Sequence, residues 1–260
     1  MKRASGKDAL LILIPAFNEE GAIDDVLAEV KQVLPGVQVL VVDDCSQDAT
    51  ADLARRAGAA VVSMPHHLGL GGCVQAGYRL AYDLGYQYVI RIDGDGQHDP
   101  SYIPAVYEAL RASGVEMVIG SRYLNGHNEH TSFTRGLGVR FFRAVLRPIL
   151  GRPVHDPTSG FVGVNRDALA LFSRSFPLEY PEIEALVVLQ RKQFRFTEVE
   201  CRMRPRRAGR SSITALRSFY YIIHVLLGVF VNILRYERRA RKRGQTHFSD
   251  GKNSGIRENF

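Results

Sequence analysis

Three times within its first hundred residues the chain runs apolar and then breaks into acidic or amide side chains. Ala9 to Phe17, interrupted by Pro15, gives way to Asn18, Glu19 and Glu20. Val37 to Val42 ends at Asp43 and Asp44, and Tyr88 to Ile92 ends at Asp93, Gly94, Asp95, Gly96, Gln97, His98 and Asp99. Short continuous apolar runs of this kind predict strands buried on both faces. Between the first two the period changes: Ile23, Val26, Leu27, Val30, Val33 and Leu34 recur at helical spacing until Pro35 and Gly36 stop them. Further strands are expected over Ala59–Met64 and Val115–Gly120, and helices over Leu70–Leu84 and Ser101–Ala112. Ser46 and Asp48 offer capping oxygens to a helix after Asp44. Strand and helix alternate through residue 120, which predicts an α/β fold with a mostly parallel sheet and helices on both faces.

Beyond Arg122 the pattern loosens. Leu137–Leu150 sets Arg140, Arg143 and Arg147 at helical spacing beside Phe141, Phe142, Val145, Leu146 and Ile149, which suits a membrane surface or an ordinary surface helix. A mixed segment, Val154–Glu200, is strand-like at 162–164 and over Phe194–Glu200. The last apolar run, Phe219–Leu234, has 16 residues. As a helix it would reach about 24 Å, short of the ~30 Å hydrocarbon core. An interfacial or partner-binding helix is therefore expected, covered by a small membrane protein or a second copy of the chain. The cluster Arg235, Arg238, Arg239, Arg241, Lys242 and Arg243 behind it would attract an anionic membrane face. The expected division is a catalytic domain over 1–212, this C-terminal helix over 213–235 and a basic tail over 236–260.

Charge sharpens the division. Residues 1–130 hold 10 Lys and Arg against 17 Asp and Glu, and residues 131–260 hold 24 against 10, so the overall +7 joins halves of −7 and +14. An acidic half suits cation binding and a basic half an anionic partner. Nucleic acid is not expected as that partner, since zinc spacing, an RNA-binding aromatic motif and a helix-turn-helix pattern are all missing. Cys45, Cys73 and Cys201 are odd in number and far apart, which argues against a disulfide framework and for a reducing, cytoplasmic location. The run HLGLGGCVQAG is not a dinucleotide fingerprint, because Val74 stands where glycine or alanine is needed; it remains a glycine-rich loop before a helix.

Open α/β sheets place ligands at strand ends. In extended backbone Asp93 and Asp95 would point the same way, and two hard oxygen ligands suit Mg²⁺ or Mn²⁺ against a diphosphate. The plainer alternative is an acidic turn in which Asp99 caps the helix after Pro100.

Four motifs in order, PAFNEE (15–20), VVDDCSQDAT (41–50), DGDGQHDP (93–100) and DPTSGF (156–161), followed by RRAGRSS (206–212), resemble the family 2 inverting glycosyltransferases of the GT-A fold. Within that family the branch that transfers sugars to dolichyl or other polyprenyl phosphates is most similar, over roughly residues 9–235. The resemblance implies that Pro15, Ala16, Asn18 and Glu20 line a nucleotide pocket, that Asp43 contacts the base and that Asp44 orients the loop beside it. Asp93 and Asp95 would hold the metal, with Gln97 beside the sugar or metal. Ser121 and Arg122 would lie near the acceptor, with Asp156 and Ser159 of the fourth motif in the substrate site, and Arg206 and Ser211 would grip phosphates. Cys45 departs from the glycine common after the paired aspartates.

The implied chemistry is metal-assisted transfer from a nucleotide sugar, with UDP or GDP as leaving group, to a polyprenyl phosphate at the cytoplasmic membrane face. A lipid phosphate is already ionised and needs cations, for which Arg122, Arg206 and Arg207 are candidates. A hydroxyl acceptor, the alternative, needs a general base. Glu182 and Glu184 could supply that base or a second metal contact, although acids are also common in a first helical turn. A membrane-associated nucleotide-binding regulatory subunit without catalysis is the third reading.

Overall fold

In the computed structural model, which describes residues 3, 4, 6, 8–124 and 133–204, seven strands form one sheet. They are β1 (Leu10–Ala16), β2 (Gln38–Asp43), β3 (Ala60–Ser63), β4 (Tyr88–Arg91), β5 (Met117–Ser121), β6 (Val162–Asn165) and β7 (Phe196–Glu200), in the order β3-β2-β1-β4-β6-β5-β7. The helices are α1 (Ile23–Val33), α2 (Thr50–Arg56), α3 (Gly69–Asp83), α4 (Ile103–Ala112), α5 (Phe133–Leu150), α6 (Arg166–Phe172) and α7 (Pro181–Arg191). Arg206, Arg207, Ser211, Phe219–Leu234, the basic cluster and the expected boundary at 212 lie outside the described residues.

The sheet separates two cores. Period two sends Leu11 and Leu13 of β1 to one face, where they join Val89, Tyr78 and Phe172. Ile12 and Ile14 go to the other, with Ile90, Val26 and Val106. All four β1 side chains are fully buried, at roughly 1.5–3 kcal/mol of transfer free energy each. Pro15 is tolerated because β4 pairs with β1 only as far as Leu13↔Arg91. Leu13 accepts from Ile92, so Pro15, two residues on, turns its missing N–H to the side that β4 has already left.

The order of strands reverses at β1. The first two crossovers lay β2 and β3 on one side, and the third carries β4 to the other, all parallel. Such a switch point opens a crevice at the carboxyl ends of the strands. The sheet is mostly parallel, as expected, but β5 does not pair with β4. Strand β6 runs antiparallel between them, and β7 returns parallel to β5. Alternation in VGV marks a strand without encoding its direction.

Helix α5 is two-faced in the fold, as both of its expected readings require. Phe142, Leu146 and Leu150 are buried in the core and leave Arg140, Phe141 and Arg147 facing outward. Among the described residues no helix is long and apolar enough to cross a membrane.

The start of α3 packs directly on the backbone ahead of α7. A Cβ on Gly71 would lie 2.4 Å from the carbonyl oxygen of Leu178 and 2.5 Å from its Cα, a contact that backbone cannot relieve cheaply. Gly71→Ala should therefore cost about 1–3 kcal/mol, read as a lower midpoint in urea unfolding at unchanged slope.

Candidate active site

The carboxyl ends of β1, β2 and β4 enclose a cavity of about 250 Å³. Pro15, Ala16, Phe17 and Glu19 line it from β1, Asp44 from β2, His67, Gly69, Leu70 and Cys73 from the start of α3, and Asp93, Gly94 and Asp95 from β4. Five of the expected site residues, Pro15, Ala16, Asp44, Asp93 and Asp95, thus share one wall.

Strand β4 ends at Arg91, so Asp93 and Asp95 sit in a turn and their common direction does not come from extended backbone, contrary to expectation. Asp95, 5% exposed, accepts the Gln97 N–H at 3.0 Å, and Gly96 bends the turn at φ 74. The Asp93 N–H donates to His98 Nδ1 at 3.0 Å, leaving the His98 proton on Nε2. Burial pushes the His98 pKa down against the pull of Asp93 and Asp95; the imidazole is neutral, and its 3.6 Å approach to Asp93 Oδ2 is no ion pair. Asp93 Oδ1 is buried and accepts no hydrogen bond. Gly160 presses on the same carboxylate: a Cβ there would lie 2.7 Å from Oδ2 and 3.0 Å from Oδ1. Asp99 also does what the plainer reading asked, accepting the Ser101 N–H to cap the 3-10 turn Pro100–Tyr102 ahead of α4.

Asp44 spends both oxygens on α3, accepting Leu68 N–H at 2.6 Å and Gly69 N–H at 2.9 Å, with His67 Nδ1 2.9 Å away. Asp43 is buried and accepts from Ser46 N–H. Asn18 and Glu20 lie off the cavity and lace the first loop to the second: Asn18 N–H donates to Ser46 Oγ, Gln47 N–H to Asn18 Oδ1 and Ala49 N–H to Glu20 Oε2. Cys45 has φ 65, the left-handed region, which explains why glycine suits this position. Burial, then Asp44, pushes the Cys73 thiol far up, so it stays protonated.

Arg122 is committed elsewhere than expected. Its Nε and Nη2 donate to the Asp156 carboxylate at 2.6 and 2.7 Å, its backbone N–H at 3.0 Å, and Nη2 also to Thr158 Oγ1. Asp156 is fully buried, and Glu198 accepts its N–H in turn. Ser159 Oγ donates to the Gly120 carbonyl, and the buried Ser121 Oγ accepts from Tyr123 N–H. Gln97 is half buried and is held through its carbonyl by Arg204 N–H. That contact, the His98–Met203 bridge and an Arg204–Asp99 ion pair at 2.8 Å bring the chain back beside the Asp93–Asp99 turn two residues before Arg206. Glu182 is bound to Arg91 at 2.8 Å, and Glu184, buried, sits with it in the first turn of α7.

Residues 11–172 match the sequence profile of Glycosyl transferase family 2. The chain belongs to that family. It is 33% identical over 167 residues to an undecaprenyl-phosphate mannosyltransferase of Micrococcus luteus, covering 62% of this chain and 68% of that one. It is 27% identical over 224 residues to a dolichol-phosphate mannosyltransferase of Pyrococcus furiosus, covering 82% of this chain and 62% of that one. Among solved structures, glucosyl-3-phosphoglycerate synthase from Mycobacterium tuberculosis, in complex with Mn²⁺, uridine diphosphate and phosphoglyceric acid, superposes with a TM-score of 0.67 at 25% identity, over 85% of this chain and 78% of that one. The fold is the GT-A fold.

The donor set fits a divalent cation of the Mg²⁺ or Mn²⁺ type. Among the described residues no three His, Cys, Asp or Glu side chains converge, but such cations commonly take one or two carboxylates and complete their shell with substrate phosphates and water. A buried carboxylate oxygen without a donor is costly, and Asp93 Oδ1 has the chemistry to meet a cation. Phe17 and His67, whose rings lie 4.4 Å apart at the rim, and Leu70 and Cys73 were not singled out from sequence. For His67, Leu70 and Cys73 the glycine-rich run they belong to was the available signal.

Removing Asp156 tests the Arg122 pair. Asp156→Ala strands a guanidinium that is 8% exposed and should cost about 3–5 kcal/mol in chemical denaturation, whereas a surface ion pair would cost under about 1 kcal/mol.

Proposed function

We propose that this family 2 glycosyltransferase moves one sugar from a nucleoside diphosphate to a polyprenyl phosphate, with inversion, using Mg²⁺ or Mn²⁺ held by Asp93 and Asp95. The observation that carries the donor half is the acid-lined cavity at the switch point, with one buried carboxylate oxygen lacking any donor. The acceptor half draws on the names of its relatives, mannosyltransferases of undecaprenyl and dolichol phosphate.

In a single displacement the acceptor phosphate oxygen bonds to the anomeric carbon as the bond to the diphosphate oxygen breaks. A bound divalent cation would offset the charge that develops on that leaving group. Pro15, Ala16 and Phe17 wall the donor, Asp43 and Asp44 hold the second loop and the start of α3 around it, and the neutral His98 fixes the backbone of Asp93. An ionised phosphate needs no base, in keeping with how nearby candidates are engaged: Glu182 with Arg91, His67 with Asp44 and His98 with Asp93 N–H. Arg206, Arg207 and Ser211 are assigned to phosphate oxygens, and Arg122 to positioning through Asp156. The outward Arg140, Phe141 and Arg147 of α5 and the C-terminal basic cluster would meet an anionic membrane surface, where the acceptor resides.

The test is transfer by purified protein, with Mg²⁺ or Mn²⁺, from a panel of UDP and GDP sugars to undecaprenyl phosphate, dolichyl phosphate or a hydroxyl acceptor. Product on a lipid phosphate is expected, with kcat/KM falling on the order of 10²–10³-fold in Asp95→Ala. Transfer to the hydroxyl acceptor alone would replace the acceptor assignment, and full activity of Asp95→Ala would remove the metal role.

A further inference from the structure

A charged pair lies buried directly behind the acidic turn, where neither member lines the cavity. Arg91, 2% exposed, ends β4 two residues before Asp93, and its partner Glu182 is 14% exposed in the first turn of α7. Burying two ions costs several kcal/mol each before their attraction is counted, and apolar residues of similar volume often serve stability as well or better. Stability alone is therefore a weak reason for a guanidinium here.

Its hydrogen bonds supply a better one. Nη2 donates to Glu182 Oε1 at 2.8 Å, and Nε donates at 2.7 Å to the carbonyl of Gly160. Gly160 is the residue whose backbone lies so close to Asp93 that a Cβ would meet both carboxylate oxygens. Asp93 Oδ1 has no hydrogen-bond donor to orient it, so packing against Gly160 sets the carboxylate plane, and whatever holds Gly160 holds the carboxylate. The guanidinium fork, braced on Glu182, does this with a geometry that a lysine ammonium cannot copy.

We infer that Arg91, braced by Glu182 and acting through the Gly160 carbonyl, is a positioning residue that sets how tightly Asp93 binds the donor-associated cation. The inference rests on the assignment of Asp93 as a metal ligand. It adds that the affinity of the site is tuned from α7, through groups that touch neither substrate nor cation. Outer partners of metal ligands commonly contribute 10–100-fold to affinity.

Mn²⁺ titration followed by electron paramagnetic resonance, with UDP or GDP present, reads this without turnover. Arg91→Lys keeps the charge and loses the fork; the double variant Arg91→Met, Glu182→Met removes both charges together, avoids a stranded ion and decides the matter if Arg91→Lys does not fold. Both should weaken Mn²⁺ binding on the order of 10-fold, with transfer at low Mn²⁺ falling in step and recovering at saturating Mn²⁺. Wild-type Mn²⁺ affinity in folded variants, whatever their melting temperature, would overturn the inference and leave the donor assignment standing. No Mn²⁺ uptake by the wild-type protein with either nucleotide would overturn both.

Discussion

Glu19, Asp44, Asp93 and Asp95 line the cavity proposed for the nucleoside diphosphate, and carboxylate repels phosphate. At 4 Å and an effective dielectric of about 20, one such pair of unit charges is unfavourable by about 4 kcal/mol. Most of what surrounds the cavity can be understood as a response to that repulsion. Asp44 has its two oxygens taken by amide donors at the start of α3. Asp95 takes the amide of Gln97. The buried oxygen of Asp93 is left without a donor, and a cation there would convert repulsion into a bridge.

Holding an acidic turn in one shape without filling its oxygens is a task for neighbours. The His98 ring fixes the Asp93 amide, Asp99 starts the 3-10 turn, and Arg204 ties the returning chain to Gln97 and Asp99. The two buried arginines beside the turn are matched: Arg122 is forked onto Asp156, and Arg91 onto Glu182 and the Gly160 carbonyl. Such pairs are specific because breaking either partner strands a buried ion.

Strands ending in carboxylates were legible in sequence because apolar runs and turn chemistry are local signals, whereas the order of the strands, and with it the switch point, was supplied by the fold. The acidic turn was legible for the same reason. The partners of its neighbours were not. Arg122 and Asp156 are 34 residues apart, and Arg91 and Glu182 are 91 apart, so GSRY reads as a free arginine and YPEIE as spare acids until the fold joins them. His67 and Phe17 carry no periodic signature either; they meet because the loop before α3 folds over the end of β1.

Strand direction was the least legible feature, yet it delivers the fourth motif. Because β6 runs antiparallel to β4, with Val162 opposite Arg91, the amino end of β6 lies at the carboxyl end of β4. The residues just before β6, Asp156 to Phe161, therefore arrive at the acidic turn, bringing Gly160 against Asp93 and Asp156 to Arg122. A parallel strand in the same place would have its own amino end at the far edge of the sheet, and the DPTSGF segment with it. The reversed strand is thus the means by which residues on either side of α5 act on one carboxylate.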